Sequence, residues 1–126
     1  MLPPLHLYAV EYDPHGMDCA DFVALVRREM FGHDVRLPDG RPRGEAGELA
    51  LGELSRAYGV RVDVPEDGDY VLMTQPGKRW HVGLWFGCGG DPSVFHLRRE
   101  GTTAEMTPIR DLARMMLNVE GVYRWA

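Results

Sequence analysis

Cysteine is scarce in this sequence, and the two cysteines present lie far apart. Only Cys19 and Cys88 occur among the 126 residues. Two cysteines make neither a disulfide framework nor a zinc site with the usual cysteine spacing. The sequence therefore shows no sign of a cross-linked scaffold or of a cysteine-bound metal.

Long apolar runs are also missing. The first ten residues lack the basic start and the apolar stretch of a signal peptide, and no segment reaches the length of a membrane span. We therefore expect synthesis in the cytoplasm without a signal peptide, and no membrane partner. If the protein acts outside the cell, something else has to carry it there.

Positive charge is in the minority. The chain has 14 Lys and Arg against 19 Asp and Glu, a formal net charge of −5, which argues against nucleic acid as the main partner. Apolar residues make up 44% and charged residues 26%, the balance of an ordinary globular protein. A chain of this length can bury a hydrophobic core without disulfides or bound metal ions, so we expect one domain over residues 1–126.

What the sequence does contain is a helix signal with a cysteine in its first turn. Asp18 is a good N-cap residue, since its carboxylate accepts the free N–H groups of the first turn. Asp21, three residues later, places a second negative charge in the first turn, where the positive end of the helix dipole stabilises it. Apolar residues follow at helical spacing, namely Phe22, Val23, Val26 and Met30. The pattern predicts a helix from about Cys19 to Phe31, stopped at Gly32, with the cysteine on the apolar side.

The rest of the chain predicts a second helix and then strands. Residues 5–10 read as a short extended segment, residues 33–44 as a surface loop, and Glu45–Tyr58 as the second helix. From residue 60 the apolar period changes to two. Extended segments are predicted at Tyr70–Met73, Trp80–Phe86, Ser93–Arg99, Glu105–Pro108 and Val119–Trp125, with a short helix from Pro108 to Leu117. Helices first and strands later indicate an α+β fold with an antiparallel sheet.

Two histidines lie on the central predicted strands. If the glycine-rich loop closes the hairpin symmetrically, Phe86 pairs with Asp91 and His81 then faces His96. Directly opposite residues share a face of the sheet, with Cβ atoms about 5 Å apart. One histidine would act as a base while the other holds its imidazole in the right tautomer. A slip of one residue would put the two rings on opposite faces.

Structural roles compete with catalytic ones at each of these residues. A free cysteine is more often a small buried hydrophobe than a nucleophile, and a single histidine is more often structural. A zinc site would use His81, His96 and a third ligand such as Cys19 or Asp91, but the spacing matches no zinc motif. The remaining histidines are interpreted as surface residues: His6, His15 and His33. The N-cap position of the cysteine and the later histidine pair together favour a catalytic thiol.

The reactivity expected for such a thiol follows from its surroundings. A helix N-terminus and a protonated His81 would lower the pKa of Cys19 below the free-thiol value of about 8.5. Asp18 and Asp21 oppose this effect, so a moderate lowering is expected. Cys19 and His81 would then form an ion pair, with His96 on the far side of the imidazole. Cys88, in a loop among glycines, is expected to be dispensable.

Several segments resemble the NlpC (P-sixty) family of cell-wall cysteine peptidases. Asp18–Val23 resembles the Asp-Cys-Ser-Gly-Phe-Val motif of the family, and Gly68–Leu72 its Gly-Asp-Leu-Val-Phe strand. His81–Trp85 is similar to the family's His-Val-Gly-Ile-Tyr motif. Val94–His96 matches the strand that carries its third polar residue. The motifs occur in the family's order and cover most of the chain, from Tyr12 to Tyr123.

The resemblance implies a fold, an activity and residue roles. The fold would be a papain-like α+β core, with the cysteine helix packed on the antiparallel sheet. Cys19 would be the nucleophile, His81 the base and His96 the residue that orients it, with no metal or cofactor. Family members place a tyrosine near the oxyanion site, for which Tyr12 and Tyr8 are both candidates. Asp18 is a candidate for the same region.

The implied substrate is the peptide stem of peptidoglycan, cut by hydrolysis of an amide bond. Ala20 and Asp21 replace the usual Ser-Gly after the cysteine, and Asp21 adds negative charge near the thiol. Residues 31–38 resemble the segment after the helix in phage-encoded members. This points to a phage or prophage tail protein, with tail proteins as partners. The alternatives are a tail-assembly protein with little activity, or an acyl transferase or amidase on the same scaffold.

Overall fold

The computed structural model describes all residues from Met1 to Ala126. Three α-helices come first: α1 (Leu5–Tyr8), α2 (Cys19–Phe31) and α3 (Gly44–Arg56). Six strands follow: β1 (Gly59–Val62), β2 (Tyr70–Gln75), β3 (Arg79–Phe86), β4 (Ser93–His96), β5 (Glu105–Pro108) and β6 (Asn118–Trp125). Short 3₁₀ helices lie at Cys88–Gly90 and Ile109–Met115. None of the helices is both long enough and apolar enough to span a membrane.

The six strands form one antiparallel sheet. Their order across the sheet is β1-β6-β2-β3-β4-β5, so the last strand of the chain inserts between β1 and β2. Strands β2 to β5 are neighbours in chain order. With the helices preceding the sheet, the architecture is α+β, as the order of predicted helices and strands indicated.

Helix α2 follows its local sequence closely. Asp18 accepts hydrogen bonds from the backbone N–H groups of Ala20 and Asp21, and the carboxylate of Asp21 accepts one from the N–H of Asp18. These bonds form a reciprocal capping box. The helix ends at Gly32, whose left-handed φ of 65° costs glycine little. Both predicted ends of this helix are confirmed.

The bounds of helix α3 differ slightly from the prediction, and one of its glycines lies against the sheet. It runs over Gly44–Arg56 rather than to Tyr58. A Cβ on Gly52 would lie 2.5 Å from the ring of Trp80 on β3, so this glycine allows the helix to approach the strand closely. Leu49, a predicted apolar position, is exposed, whereas Leu51 is buried. The buried face of the helix is therefore the one that contacts β3.

Apolar side chains pack on both faces of the sheet. The larger cluster joins α2 and α3 to one face, and its members include Phe22, Val23, Val26, Leu51, Tyr70, Leu72, Val82, Leu84 and Phe95. The smaller cluster covers the other face, where Val71, Met73 and Val94 meet Leu112 and Leu117. Alternate residues of β2 thus enter different clusters, as a strand period of two requires.

Three local predictions are corrected. Residues 5–10, expected to be extended, contain the one-turn helix α1, in which Pro4 occupies the N-cap and Leu7 is buried. The alternating pattern there was too short to distinguish a strand from a single helical turn. The third predicted strand ends at His96 rather than Arg99, and the helix expected from Pro108 to Leu117 is a 3₁₀ helix over Ile109–Met115.

The predicted hairpin register was wrong by two residues. Phe86 pairs with Ser93, not with Asp91, and Leu84 pairs with Phe95. The loop is longer than expected because Cys88–Gly90 forms a 3₁₀ turn with left-handed φ angles at its residues. A shift by two preserves the face of each side chain. His81 and His96 therefore remain on the same face, displaced diagonally instead of directly opposite.

Candidate active site

One cavity brings together most of the residues singled out in the sequence. Cys19, His81, Asp18 and Tyr12 all line it. Cys19 comes from the start of α2 and His81 from β3, so contact between helix and sheet creates the arrangement. Cys19 is half-buried and His81 is 3% exposed. A small polar group entering the cavity would meet both the thiol and the imidazole.

The two predicted histidines are hydrogen-bonded to each other. Nε2 of His81 lies 2.8 Å from Nδ1 of His96, and Nε2 of His96 lies 2.9 Å from Oγ1 of Thr107. Both rings are buried, His96 completely. The carboxylate Oε1 of Glu105 is 3.9 Å from Nε2 of His96. Neither Thr107 nor Glu105 was singled out in the sequence, since only the pairing of β4 with β5 brings them beside His96.

The surroundings of His96 favour one tautomer of the pair. A carboxylate near Nε2 of His96 favours a proton on that nitrogen, which then donates to Thr107. Nδ1 of His96 is then the acceptor, and Nε2–H of His81 is the donor. This assignment leaves the lone pair on Nδ1 of His81, the nitrogen that is not used in the histidine pair. His81 is thereby arranged to accept a proton.

The expected lowering of the Cys19 pKa is wrong. Burial, followed by the negative charge of Asp18, raises the pKa of Cys19 to about 12, although a hydrogen bond from the backbone N–H of Val82 and the charge of Arg41 act in the opposite direction. Burial and then the charge of Arg98 lower the pKa of His81 to about 3. The resting pair is therefore a neutral thiol and a neutral imidazole, and the predicted ion pair is not its resting state.

The structure separates the two candidate tyrosines. Tyr12 lines the cavity, and its pKa is raised to about 12 by burial and then by the charges of Cys19 and Asp18. Its backbone N–H donates to the carbonyl of Thr102, which holds the segment in place. Tyr8 packs instead on Phe95, with ring centroids 4.8 Å apart, and does not line the cavity.

An ion-pair network at the start of α2 was missed in the sequence. Arg41 Nη2 lies 2.9 Å from Oδ1 of Asp18 and 3.0 Å from Oδ1 of Asp21. Arg43 Nη1 lies 2.9 Å from Oδ2 of Asp21. Burial works to raise the pKa of Asp21, but the hydrogen bonds from Arg43 and from Asp18 lower it below its usual value. The two arginines thus balance the two acids beside the thiol and hold the loop between α2 and α3 against the start of α2.

The other cysteine and histidines lie away from this cavity. Cys88 is a half-buried free thiol in the β3–β4 loop. His6 and His15 are exposed, as expected. His33, predicted at the surface, is half-buried because Nδ1 accepts a hydrogen bond from Nε of Arg27 at 3.1 Å and its ring packs edge-on against Trp125. No group of three or more His, Cys, Asp or Glu side chains is arranged to hold a metal ion.

Comparison with known proteins adds no family assignment. No protein-family model matches the chain, and a search of curated proteins finds no match.

Proposed function

We propose that the protein is a cysteine hydrolase of the NlpC kind, with a papain-like core, that cleaves amide bonds in peptidoglycan stem peptides. The observation that carries the proposal is the shared cavity of Cys19 and His81, in which His81 is backed by the buried His96. A nucleophile, a base and a group that orients the base are the parts that thiol catalysis requires. The motif resemblance supplies the substrate class and the association with a phage or prophage tail.

The first half of the reaction acylates Cys19. Sγ attacks the amide carbonyl carbon while Nδ1 of His81 takes the thiol proton, so no free thiolate has to accumulate beforehand. The backbone N–H of Cys19 is available to the carbonyl oxygen, because the capping box engages the N–H groups of Ala20 and Asp21 instead. His81 then gives the proton to the amide nitrogen, the C–N bond breaks, and an amine leaves.

The second half regenerates the thiol. Water attacks the thioester carbonyl and gives one proton to His81. The C–S bond breaks, the proton passes from His81 to the sulfur, and a carboxylic acid is released. His96 keeps the imidazole in the same tautomer during both halves, since its Nδ1 accepts from Nε2–H of His81.

Incubation with purified peptidoglycan, followed by mass analysis of released fragments, tests the proposal. We expect fragments that gain one water per bond cleaved. Cys19→Ala should lower the rate at least about 10³-fold, and His81→Ala about 10²–10⁴-fold. Cys88→Ser is the matched control and should retain the wild-type rate.

Two results would contradict the hydrolase assignment. Equal loss of activity in Cys88→Ser and Cys19→Ala would mean that the wrong thiol was chosen. Fragments that carry a transferred acyl group, without addition of water, would favour the transferase alternative.

The protonation states favour one competing function, a tail-assembly protein that keeps the fold with little activity. A thiol whose pKa is raised to about 12 and an imidazole whose pKa is lowered to about 3 leave little thiolate at neutral pH. Absence of any fragment from the wild-type protein would support this candidate.

A further inference from the structure

Arg41 lies where the loop between α2 and α3 closes over the start of α2. Its side chain is only 9% exposed, although the three residues before it are at the surface. Nη2 lies 2.9 Å from one oxygen of Asp18 and 3.0 Å from one oxygen of Asp21. Arg41 also lines the cavity that holds Cys19. No step of the proposed reaction yet involves this buried cation.

Arg43 offers a comparison within the same loop. Its Nη1 lies 2.9 Å from Oδ2 of Asp21 and 3.5 Å from Oδ2 of Asp18, so it pairs with the same two acids. Its side chain is 34% exposed, however, and it does not line the cavity of Cys19. Water screens an exposed charge more than a buried one. The two arginines therefore share their partners but differ in burial and in their position relative to the thiol.

The charges inside the cavity define what Arg41 does there. The titratable and charged side chains that line the cavity with Cys19 are Tyr12, Asp18, Arg41, Glu48, His81 and Arg98. The charges of Asp18 and Glu48 disfavour a thiolate, whereas the charge of Arg41 favours one. Glu48 has another partner, since its Oε2 lies 3.3 Å from Nη1 of Arg79. Asp18 is thus the main opposing charge, and within the cavity Arg41 is the cation bound to it.

We infer that Arg41 is a positioning residue for Cys19, a buried cation that offsets Asp18 and stabilises the negative charge that develops on sulfur as His81 takes the proton. A fixed charge in a water-poor site acts more strongly than the same charge in water. Asp21 then has a role as well, because its carboxylate helps to hold the guanidinium at the start of α2. The inference rests on the proposed function only in taking Cys19 as the nucleophile.

Alkylation of Cys19 by iodoacetamide, a neutral reagent, tests the inference in a Cys88→Ser background. At about pH 8.5, well below the raised pKa of about 12, the rate is proportional to a small thiolate fraction. Loss of a nearby opposite charge in Arg41→Gln should raise the pKa of the thiol by about one unit or more. The thiolate fraction falls about tenfold per unit, while the more basic thiolate is about threefold more reactive. We therefore expect a rate about threefold lower, or less.

Two further variants separate charge from shape and from general loss of an ion pair. Arg41→Lys and Arg41→Gln both lose the planar guanidinium, so any loosening of the loop affects both. Lys keeps the positive charge, and Arg41→Lys should react about threefold faster than Arg41→Gln. Arg43→Gln is the matched control, because it removes a more exposed charge from the same two acids. It should lower the rate by less than about twofold.

Three outcomes would overturn the inference. They are an undiminished rate in Arg41→Gln, equal rates in Arg41→Lys and Arg41→Gln, and an equal fall in Arg43→Gln and Arg41→Gln. Urea unfolding checks that each variant is folded, and in denaturant all variants should react alike. If Arg41→Gln does not fold because Asp21 is left unpaired, the comparison is made in an Asp21→Asn background, where the same fall of about threefold is expected.

None of these measurements depends on peptide cleavage. A charge-dependent rate at Cys19 in a protein that releases no peptidoglycan fragment would uphold the role of Arg41 while refuting the proposed hydrolase. Cleavage of peptidoglycan by a protein whose alkylation rate is unaffected by Arg41→Gln would do the reverse.

Discussion

At Cys19 two opposing electrostatic effects act on one thiol. A helix N-terminus stabilises a nearby anion by about 0.3–1 kcal/mol. A rise of the pKa from 9.0 to about 12 corresponds to roughly 4 kcal/mol against the thiolate. Burial and Asp18 therefore outweigh the helix terminus. The capping box that places the cysteine also supplies the carboxylate that opposes its ionisation.

This balance predicts how Cys19 reacts with iodoacetamide. In the Cys88→Ser background, the rate at Cys19 should keep rising well above pH 9, where an unfolded thiol with a pKa of about 8.5 levels off. Replacing His81 by Ala should change the profile little, because the imidazole is already neutral in this range. The measurement is the alkylation rate against pH, with the denatured protein as control. A plateau below pH 8.5 that moves upward in His81→Ala would instead establish the ion pair predicted from the sequence.

At the scale of the sheet, a glycine makes room for the histidine pair. A Cβ on Gly83 of β3 would lie 2.4 Å from Cγ1 of Val94 and 2.9 Å from Cβ of His96. Both neighbours are fully buried on β4, and a close-packed interior leaves buried side chains little room to shift. Gly83 thus permits β4 to place His96 diagonally across from His81.

Gly83→Ala should therefore destabilise the fold and disturb the site. Overpacking of this kind costs about 1–3 kcal/mol, measured as the loss of unfolding free energy in urea. Gly16→Ala is a matched control, since its Cβ would have only an ordinary contact, 3.5 Å from Asp13, and should change stability by less than about 0.5 kcal/mol. If Gly83→Ala lowers the unfolding free energy no more than the small change expected for Gly16→Ala, β3 and β4 tolerate a side chain at residue 83.

The stability of the whole molecule depends on keeping the buried histidines neutral. Burial lowers the pKa of His81 to about 3 and that of His96 well below its usual value. In the unfolded chain both titrate near 6.5. Between these values the unfolded state binds more protons than the folded state, so stability is full above about pH 6.5 and is lost as the pH falls.

Unfolding in urea at several pH values checks this dependence. Between pH 6.5 and 5 the unfolding free energy should fall by up to about 1.4 kcal/mol per pH unit for each of the two histidines. His81→Gln should remove a large part of that slope. His15→Gln, at an exposed ring, should keep the wild-type slope. If His81→Gln and the wild type show the same slope, the imidazole of His81 is protonated in the folded protein.

The candidate site could be predicted only where its residues are close in sequence, or where the alternation of side chains along a strand fixes the face on which a residue lies. The capping box of Asp18 and Asp21 joins residues three apart, and the prediction of the helix start is confirmed. The common face of His81 and His96 was predicted although the register was wrong, because an error of two residues preserves the face. Arg41 and Arg43 were missed, since a loop with two prolines and two glycines carries no periodic signal.

Features that arise within a few residues of chain can be predicted without the fold: the N-cap, the ends of α2, the alternation of the strands and the order of the motifs. Which side chains share a cavity, and which groups carry charge, depends on contacts between distant parts of the chain. The contacts of Arg41 with Asp18 and of His96 with Thr107 join residues 23 and 11 positions apart. Burial of Cys19 and His81 depends on how α2 packs against the sheet. A desolvation penalty depends on all the atoms packed around a group, so it cannot be predicted from the spacing of residues along the chain.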